Sequence, residues 1–348
     1  MNDRILKAAR REPTDTTPVW IMRQAGRYLP EYRAIRGKVP FLELCKTPDL
    51  AAEVTVQPVH RLGVDAAIIF SDILIPVEAM GMTLELGDKG PHLPEPLRTA
   101  ADVEKLSIPD PEERTGFLGE AIRRTRKSLN DSVPVIGFCG APFTLGAYMV
   151  EGGGSKNFMQ IKRLLFEQPK VAHQLFEKLT QTLIPYLKMQ VRAGAKLVQI
   201  FDSWGGELSP QDFETFTVPY VTRIIAALQA EGVPVIFFGT GMSTHLRAIR
   251  RMGPDVIGLD WRIEIDEGRR ALGPEVAVQG NLDPLALFLP RQELAARAAD
   301  IVRRAGPLGH IFNLGHGILP PTDPDAAKAL VDAVHAAGVA LRKDPGSP

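Results

Sequence analysis

The stretch LVQIFDS, residues 197–203, is the pattern that decides the fold predicted for this chain. It is a short, mostly apolar run that ends in two small polar residues, and it follows a helix-period stretch at 171–191. A continuous apolar run of this length is typical of a strand buried on both faces of a parallel sheet. Similar runs recur along the chain, at 18–23, 66–72, 134–140, 233–240, 256–261, 276–282 and 310–316.

The segments between these runs have the period of amphipathic helices, as at 212–230, 292–305 and 325–340. Eight strands that alternate with helices predict an α/β protein, a single (β/α)8 TIM barrel. The first three crossovers are long, so the barrel is expected to have elaborated early βα connections, with a loop or small hairpin at 83–96. One barrel domain is predicted over residues 1–348, with a short polar C-terminal tail at about 342–348.

An open doubly wound sheet is the alternative fold. It requires a phosphate-binding glycine loop after a strand, and the stretch GTGMST at 239–244 comes close, with Asp260 about 20 residues further on. Thr244 stands where the third glycine belongs, and the loop follows the fifth predicted strand rather than an early one. We therefore favour a tight turn at the barrel rim.

Composition limits the partners of the protein. The 41 basic and 41 acidic side chains cancel, so nothing predicts binding to nucleic acid or to a membrane surface. Two cysteines, Cys45 and Cys139, are too few for a disulfide framework. Residues 1–13 contain no apolar signal segment, so we expect a cytoplasmic protein. The uncharged stretch 132–150 approaches membrane-spanning length, but its prolines and glycines favour a strand, a turn and a helix start.

The stretch MRQAGRYLPEYR, residues 22–33, follows the first predicted strand. In a barrel of this type the chemistry lies at the C-terminal strand ends, so Arg23 and Arg27 are expected to point into the mouth. Arginine in a concave site suits bidentate binding of a carboxylate or phosphate. The structural alternative is an ion pair with Asp72, Asp202 or Asp260.

Other patterns narrow the chemistry. No predicted strand end carries a lysine, which argues against a Schiff base, and there is no His-x-Cys or HExxH motif. Asp72, Asp202 and His316 remain an alternative site for a divalent ion. The triple glycine at 152–154 is either a phosphate cradle or a flexible rim loop.

Several motifs resemble those of the uroporphyrinogen decarboxylase family. They are PVWIMRQAGRYLPEYR at 18–33, FSDIL at 70–74, GFCGAPFTLGAYMVEGGGS at 137–155, GLDW at 258–261, QGNLDP at 279–284 and NLGHG at 313–317. The resemblance covers residues 3–340 and is specific, because several long motifs agree in order. Where the family often has a second small polar segment after Ser203, this chain has Trp204 followed by Gly-Gly-Glu.

The resemblance implies a carboxy-lyase that removes CO2 from the four acetate side chains of uroporphyrinogen III. The product would be coproporphyrinogen III, in heme and related tetrapyrrole biosynthesis. It also implies a single-domain barrel, a homodimer, and no metal or organic cofactor. By similarity the substrate-binding residues are Arg23, Gln24, Arg27, Asp72, Tyr148, Ser203 and His316, and of these Asp72, Arg23 and Arg27 are the catalytic candidates.

This chemistry agrees with the residues. The substrate carries eight carboxylates, which Arg23 and Arg27 could bind. A pyrrole protonated on a ring carbon is its own electron sink, and an ionised Asp72 could accept pyrrole N–H bonds and stabilise the cation. The proton donor stays open, with Arg23 the family candidate. The competing classes are a barrel methyltransferase that binds zinc through His-x-Cys, which this chain lacks, and a non-catalytic tetrapyrrole-binding protein.

Overall fold

The computed structural model describes residues 2–87 and 90–343. The strands in chain order are β1 (Ala67–Ile68), β2 (Glu85–Gly87), β3 (Gly90–His92), β4 (Val135–Gly140), β5 (Leu197–Asp202), β6 (Val235–Gly239), β7 (Val256–Gly258), β8 (Ala277–Gln279) and β9 (His310–Ile311). The first eight α-helices are α1 (Arg4–Ala9), α2 (Pro30–Arg36), α3 (Phe41–Lys46), α4 (Pro48–Leu62), α5 (Ile75–Ala79), α6 (Ala100–Lys105), α7 (Pro111–Ser128) and α8 (Pro142–Glu151). The others are α9 (Met159–Glu167), α10 (Pro169–Ala193), α11 (Pro210–Phe216), α12 (Val218–Gln229), α13 (Leu246–Met252), α14 (Ile265–Leu272), α15 (Arg291–Ala305) and α16 (Pro324–Lys343). Short 3₁₀ turns occupy Gly205–Glu207, Met242–His245 and Pro284–Phe288.

Seven of these strands form one parallel sheet in the order β1-β4-β5-β6-β7-β8-β9. They lie within seven of the eight predicted runs, although most are shorter than predicted. The spatial order follows the chain order, without the reversal that a doubly wound sheet requires. The dinucleotide-binding alternative is therefore wrong, and the backbone N–H of Gly241 in its glycine loop donates instead to Asp260 (2.6 Å).

The sheet is curled, so that side chains from separated strands meet in its interior. Trp20 Nε1 donates to Gln279 Oε1 on β8 (2.9 Å), and Gln279 Nε2 donates to Gln199 Oε1 on β5 (3.0 Å). All three side chains are buried. Because β5 and β8 are not neighbours in the sheet, this row of hydrogen bonds crosses the inside of the curl.

The first predicted run, 18–23, is not a strand, and the prediction was wrong in this detail. Only Val19 makes a parallel bridge, to Phe312. The reason is that side chains bind the backbone N–H groups that a strand would offer to its neighbour. Asp65 accepts from Val19 N (2.8 Å) and Gln24 accepts from Ile21 N (3.0 Å). The segment nevertheless follows β9 in space and precedes β1, since Asp65 N donates to the carbonyl of Val19 (2.8 Å).

The helix predictions at 171–191, 292–305 and 325–340 are confirmed by α10, α15 and α16. The stretch 212–230 was predicted as one helix, but it is divided into α11 and α12 at Thr217. Pro219 explains the break, because proline lacks the N–H that a continuous helix needs and is accepted in the first turn of a new one. Of the polar tail predicted at about 342–348, Arg342 and Lys343 belong to α16, and residues 344–348 lie outside the described residues.

The hairpin predicted at 83–96 is confirmed by the antiparallel pair β2–β3. It packs on the triple glycine: His92 bridges Gly153, and Leu93 N donates to Gly152 O (2.9 Å). Gly153 has φ +157°, and a Cβ there would lie 3.0 Å from the carbonyl oxygen of Pro91. The absence of side chains at these glycines therefore lets the hairpin pack closely against residues 152–153. This packing agrees with the rim-loop alternative for the triple glycine.

The uncharged stretch 132–150 contains β4, whose residues are all buried, and most of the largely buried helix α8. The membrane-spanning alternative for this stretch is therefore wrong. Within residues 2–87 and 90–343, no helix combines the length and apolar character needed to cross a bilayer.

A buried carboxylate ties both ends of the chain to the segment before Arg23. Asp65 is 1% exposed, and its oxygens accept from Val19 N (2.8 Å), Asn2 Nδ2 (2.7 Å), Arg4 Nη1 (3.1 Å) and His335 Nε2 (2.7 Å). Burial alone would raise the pKa of Asp65, but His335 and the other donors hold it below the ordinary value of 3.8. Asp65 is therefore ionised, and it anchors the segment before Arg23 by binding Val19 together with Asn2, Arg4 and His335.

Candidate active site

A cavity of about 390 Å³ opens at the C-terminal ends of the strands. Its polar lining includes Arg23, Arg27, Ser71, Asp72, Tyr148, Ser203 and His316, and its apolar lining includes Met22, Ile68, Phe70, Phe138, Phe201, Trp204 and Ile318. The volume lies in the range of small-molecule sites, which are mostly apolar with a few placed polar groups. Six of the seven predicted site residues therefore line one cavity.

Arg23 reaches the cavity through an unusual backbone conformation. Its φ is +63°, in the left-handed region that few residues with a side chain adopt. The Arg23 stem lies over Gly317, where any side chain would collide with its Cδ and Cγ. Gly317 thus lets the loop after β9 and the first segment approach each other, which brings Arg23 beside His316.

The alternative role for the arginines, an internal ion pair, is not formed. Asp260 instead binds Arg262 Nη1 (2.5 Å), and Asp202 accepts from Thr144. Within the described residues, neither Arg23 nor Arg27 makes an ion pair with a carboxylate. Both side chains are exposed at the cavity, so they are available to an anionic ligand.

Asp72 has one bound and one free carboxylate oxygen. Oδ1 accepts from Leu74 N (2.9 Å) in the turn after β1, while the other oxygen has no hydrogen-bond partner among residues 2–87 and 90–343. Burial raises the pKa of Asp72, and the Leu74 N–H and the charge of Arg23 oppose that rise. The carboxyl group is therefore held beside a cation, with one oxygen available to a donor in the cavity.

His316 is a neutral hydrogen-bond donor at the rim. Burial lowers its pKa to about 4, and the charges of Arg23 and Arg262 add to the effect. The backbone N–H of Gly317 donates to Nδ1 (2.6 Å), so the proton of the neutral ring lies on Nε2. His316 can thus donate a hydrogen bond to a carboxylate without itself being charged.

Tyr148 and Ser203 are the two remaining predicted site residues that line the cavity. Tyr148 lies on α8, and burial, with the charge of Asp72, raises the pKa of its hydroxyl, which therefore stays protonated. Its ring lies 5.9 Å from that of Trp204, centroid to centroid. Ser203 follows β5 directly, and Thr240 Oγ1 donates to its carbonyl (2.6 Å). Two hydroxyl groups therefore lie on the wall formed by α8 and the end of β5.

Gln24 is the predicted site residue that does not line the cavity. It is fully buried; its Oε1 accepts from Ile21 N (3.0 Å), and its Nε2 donates to Ala66 O (3.0 Å). Both ends of the amide are therefore bound to backbone, so Gln24 positions the segment that carries Arg23. Its predicted contact with substrate has no support in this geometry.

Sequence reasoning missed Ser71, Trp204, Phe138 and Phe201. A signal existed for each: Ser71 and Trp204 are direct neighbours of predicted site residues, and the two phenylalanines lie at inward positions near strand ends. It also missed Pro91, which comes from the hairpin. Nothing local in the sequence indicates that this hairpin covers the cavity.

The alternative metal site is not formed. Asp72 and His316 line the cavity but Asp202 does not, and Asp202 accepts a hydrogen bond from Thr144 Oγ1 (2.6 Å). In the part of the chain that the structure describes, no group of three His, Cys, Asp or Glu residues could hold a metal ion. The site instead combines an apolar floor with two cations, one carboxylate and neutral donors. Such a lining suits a ligand with apolar rings that carries carboxylates and N–H groups.

The fold and the cavity define the class: an α/β protein with a curled parallel sheet and a ligand site at the C-terminal strand ends. A solved methyltransferase from Methanosarcina mazei shares this fold, with a TM-score of 0.81 over 96% of this chain and 97% of that one. At 22% identity it shows the fold alone.

Sequence comparison gives the particular family. The family model described as uroporphyrinogen decarboxylase (URO-D) matches residues 1–337. The uroporphyrinogen decarboxylase of Myxococcus xanthus is 76% identical over 99% of both chains, and that of Trichlorobacter lovleyi is 55% identical over 96% of this chain and 98% of its own. The chain belongs to the uroporphyrinogen decarboxylase family, and the predicted resemblance is confirmed.

Proposed function

We propose that this protein is a uroporphyrinogen decarboxylase, a carboxy-lyase that converts the four acetate side chains of uroporphyrinogen III to methyl groups. The product is coproporphyrinogen III, an intermediate of heme and related tetrapyrrole biosynthesis. The observation that carries the proposal is the half-bound carboxylate of Asp72 beside Arg23, in the cavity of a chain that belongs to this family.

The first step is the binding of a polyanion. Arg23 and Arg27 project two guanidinium groups into the cavity without internal carboxylate partners among the described residues. Charge-assisted bonds to a carboxylate are stronger than neutral ones, and the planar guanidinium can make two at once. His316 Nε2 and the hydroxyls of Tyr148 and Ser203 donate further bonds to propionate and acetate groups. The apolar floor faces the pyrrole rings.

The chemical step uses the pyrrole as its own electron sink. Protonation of the ring carbon next to the one that bears the acetate gives a cationic imine that is conjugated with the acetate-bearing carbon. The C–C bond to the carboxylate then breaks, CO2 leaves, and the bonding electrons neutralise the ring. Protonation of the resulting exocyclic methylene carbon forms the methyl group, and loss of the ring-carbon proton restores the pyrrole. The free oxygen of Asp72 accepts pyrrole N–H bonds and stabilises the cation.

Turnover of purified protein tests the proposal. Uroporphyrinogen III, kept reduced, is expected to give coproporphyrinogen III and four CO2 per macrocycle, measured by chromatography of the oxidised porphyrins. Activity is expected to survive exhaustive chelation, because no step needs a metal; loss on chelation with rescue by one metal contradicts this. Binding without CO2 release would instead indicate a tetrapyrrole-binding protein.

The two arginines are expected to differ when each is replaced by lysine, which keeps the charge and loses the planar fork. Arg27→Lys should raise KM with little change in kcat, since it removes binding common to ground and transition states. Arg23→Lys should lower kcat if Arg23 also delivers the proton. Steady-state kinetics of both variants measure this. Arg61→Lys is the control, because Arg61 pairs with Asp325 outside the cavity. Wild-type kcat and KM in both cavity variants would show that neither arginine binds the substrate.

We also propose, from the family alone, a homodimer with the cavity mouths near the interface. Sedimentation at micromolar concentration is expected to report about twice the chain mass of 38.1 kDa. A clean monomer at that concentration contradicts the proposal.

We propose further that residues 1–348 form one barrel domain, which the segment at 18–20 closes in the eighth position. Its support is hydrogen bonding on both sides of the segment. Phe312 N donates to Pro18 O (2.8 Å) after β9, and Asp65 N donates to Val19 O (2.8 Å) before β1. The segment therefore lies where a closing strand would lie.

A further inference from the structure

A second aspartate lies directly behind the cavity wall, and the mechanism above does not use it. Asp202 is the last residue of β5, is 0% exposed, and precedes Ser203 and Trp204, which line the cavity. Its Oδ1 accepts from Thr144 Oγ1 (2.6 Å). Its Oδ2 has no hydrogen-bond partner in the described part of the chain, and it lies so close to Gly205 that any side chain there would collide with it.

Thr144 connects this carboxyl group with two residues of the cavity. Its Oγ1 donates to Asp202 and accepts from the backbone N–H of Trp204 (3.1 Å). Thr144 lies four residues before Tyr148 on α8, so the two side chains share one helix face. One threonine hydroxyl therefore joins the end of β5 to the helix that carries Tyr148. The Tyr148 and Trp204 rings that meet on this wall are 5.9 Å apart.

The geometry implies that Asp202 carries a proton. A buried carboxylate is stable only when donors satisfy its oxygens, and among the described residues Thr144 is the one residue that donates to Asp202. Three parts of the chain lie next to Asp202: Thr144 of α8, Gly205, and the turn Gly239–Met242 after β6. None of these neighbouring groups is ionisable. In agreement, burial raises the pKa of Asp202 to about 7, with only Thr144 opposing the rise. Because Oδ1 accepts from Thr144, the proton lies on Oδ2.

We propose that Asp202 is a positioning residue that acts as a neutral carboxyl group, through Thr144, to hold Tyr148 and Trp204 in place on the cavity wall. Only the expected change in kcat/KM rests on the proposed function; the structural role of Asp202 does not. When Asp202 ionises, a charge appears beside Gly205 and Met242, and its Oδ2 has no donor within residues 2–87 and 90–343. The wall is then expected to rearrange, and the orientation of Tyr148 toward substrate is expected to be lost with it.

The test compares isosteric variants across pH 6–9. Asp202→Ala and Thr144→Val are each expected to lower kcat/KM by about 10–100-fold, because a small displacement of a site residue can cost about 10²-fold. The kcat/KM of Thr144→Ser and of Asp202→Asn should lie within a few-fold of the wild-type value, since both variants keep a neutral partner in the hydrogen bond. Wild-type kcat/KM should fall on the alkaline side near pH 7, and Asp202→Asn should lack that limb.

A second readout does not depend on turnover. The chain has three tryptophans, so protein labelled with 5-fluorotryptophan gives three fluorine resonances, and Trp204→Phe identifies one of them. That resonance is expected to titrate near pH 7 in wild type and to stay constant in Asp202→Asn. A missing titration in wild type overturns the inference, as does an Asp202→Asn variant as impaired as Asp202→Ala at every pH. Wild-type protein that binds but does not decarboxylate uroporphyrinogen would overturn the proposed function, while the fluorine titration still decides this inference.

Discussion

Asp72→Asn is expected to fold normally, to bind tetrapyrrole, and to lose kcat by about 10²–10³, or about 2.7–4 kcal/mol of transition-state stabilisation. The amide keeps an acceptor for the Leu74 N–H, which holds the Asp72 side chain at 2.9 Å. What it loses is the charge on the free oxygen, where the pyrrole cation develops. The measurement is single-turnover decarboxylation beside product binding in the same purified variant.

The pH dependence of Asp72 has a definite sign. Burial raises its pKa above the ordinary 3.8, and the mechanism needs the ionised form. As pH falls through the pKa of Asp72, the carboxylate becomes protonated, so wild-type kcat/KM is expected to decrease on the acid side. The amide side chain of Asp72→Asn cannot titrate, so this variant should lack the acid-side decrease in kcat/KM that protonation of Asp72 causes.

Asp283→Asn is the matched control for Asp72. Asp283 Oδ1 accepts from Leu285 N (2.9 Å), the same bond to the residue two positions on, but Asp283 does not line the cavity. It should retain wild-type kcat. Near-normal turnover in Asp72→Asn would mean that the charge is not needed, and the cation-stabilising role of Asp72 would have to be abandoned. Asp72→Glu should also be impaired, because the added methylene moves the carboxylate.

Asp65→Ala is expected to lower the free energy of unfolding by about 3 kcal/mol, toward the lower end of the cost of breaking a buried ion pair. The variant leaves the backbone N–H of Val19 buried without an acceptor and frees Asn2, Arg4 and His335 at once. Arg4 and His335 are 31% and 25% exposed, so water recovers part of their bonding. Urea unfolding followed by circular dichroism measures the change.

Asp15→Ala is the control, since Asp15 pairs with the same Arg4 but is 65% exposed. An exposed ion pair contributes about 0–1 kcal/mol. Equal destabilisation by the two variants would show that Asp65 is no anchor. The pKa of folded Asp65 lies below its ordinary value, so its stabilisation is present above about pH 4 and is lost as pH falls through the folded pKa. The difference between wild type and Asp65→Ala should shrink accordingly in acid.

The sequence by itself determined the alternation of strands and helices and therefore which residues lie at the C-terminal strand ends. These features depend on local periodicity, which a single run such as 197–203 already shows. Seven predicted runs accordingly contain strands of one parallel sheet. The cavity residues Asp72 and Ser203 follow from this reasoning, because each ends a predicted strand, and the long motifs indicated the family.

Only the tertiary structure decided the direction of side chains in the irregular segments after the strands. Gln24 and Arg23 are neighbours in sequence, yet Gln24 turns to the backbone of Ala66 while Arg23 enters the cavity at φ +63° over Gly317. Asp202 and Asp72 each lie at or next to the end of a predicted strand, but Thr144 binds Asp202 behind the cavity wall while Asp72 lines the cavity. Each orientation is set by a residue distant along the chain, and local periodicity carries no information about such contacts. A similar reason explains why segment 18–23 is not a strand. The distant side chains of Asp65 and Asn313, together with nearby Gln24, bind the N–H groups that its sequence pattern assigned to a sheet.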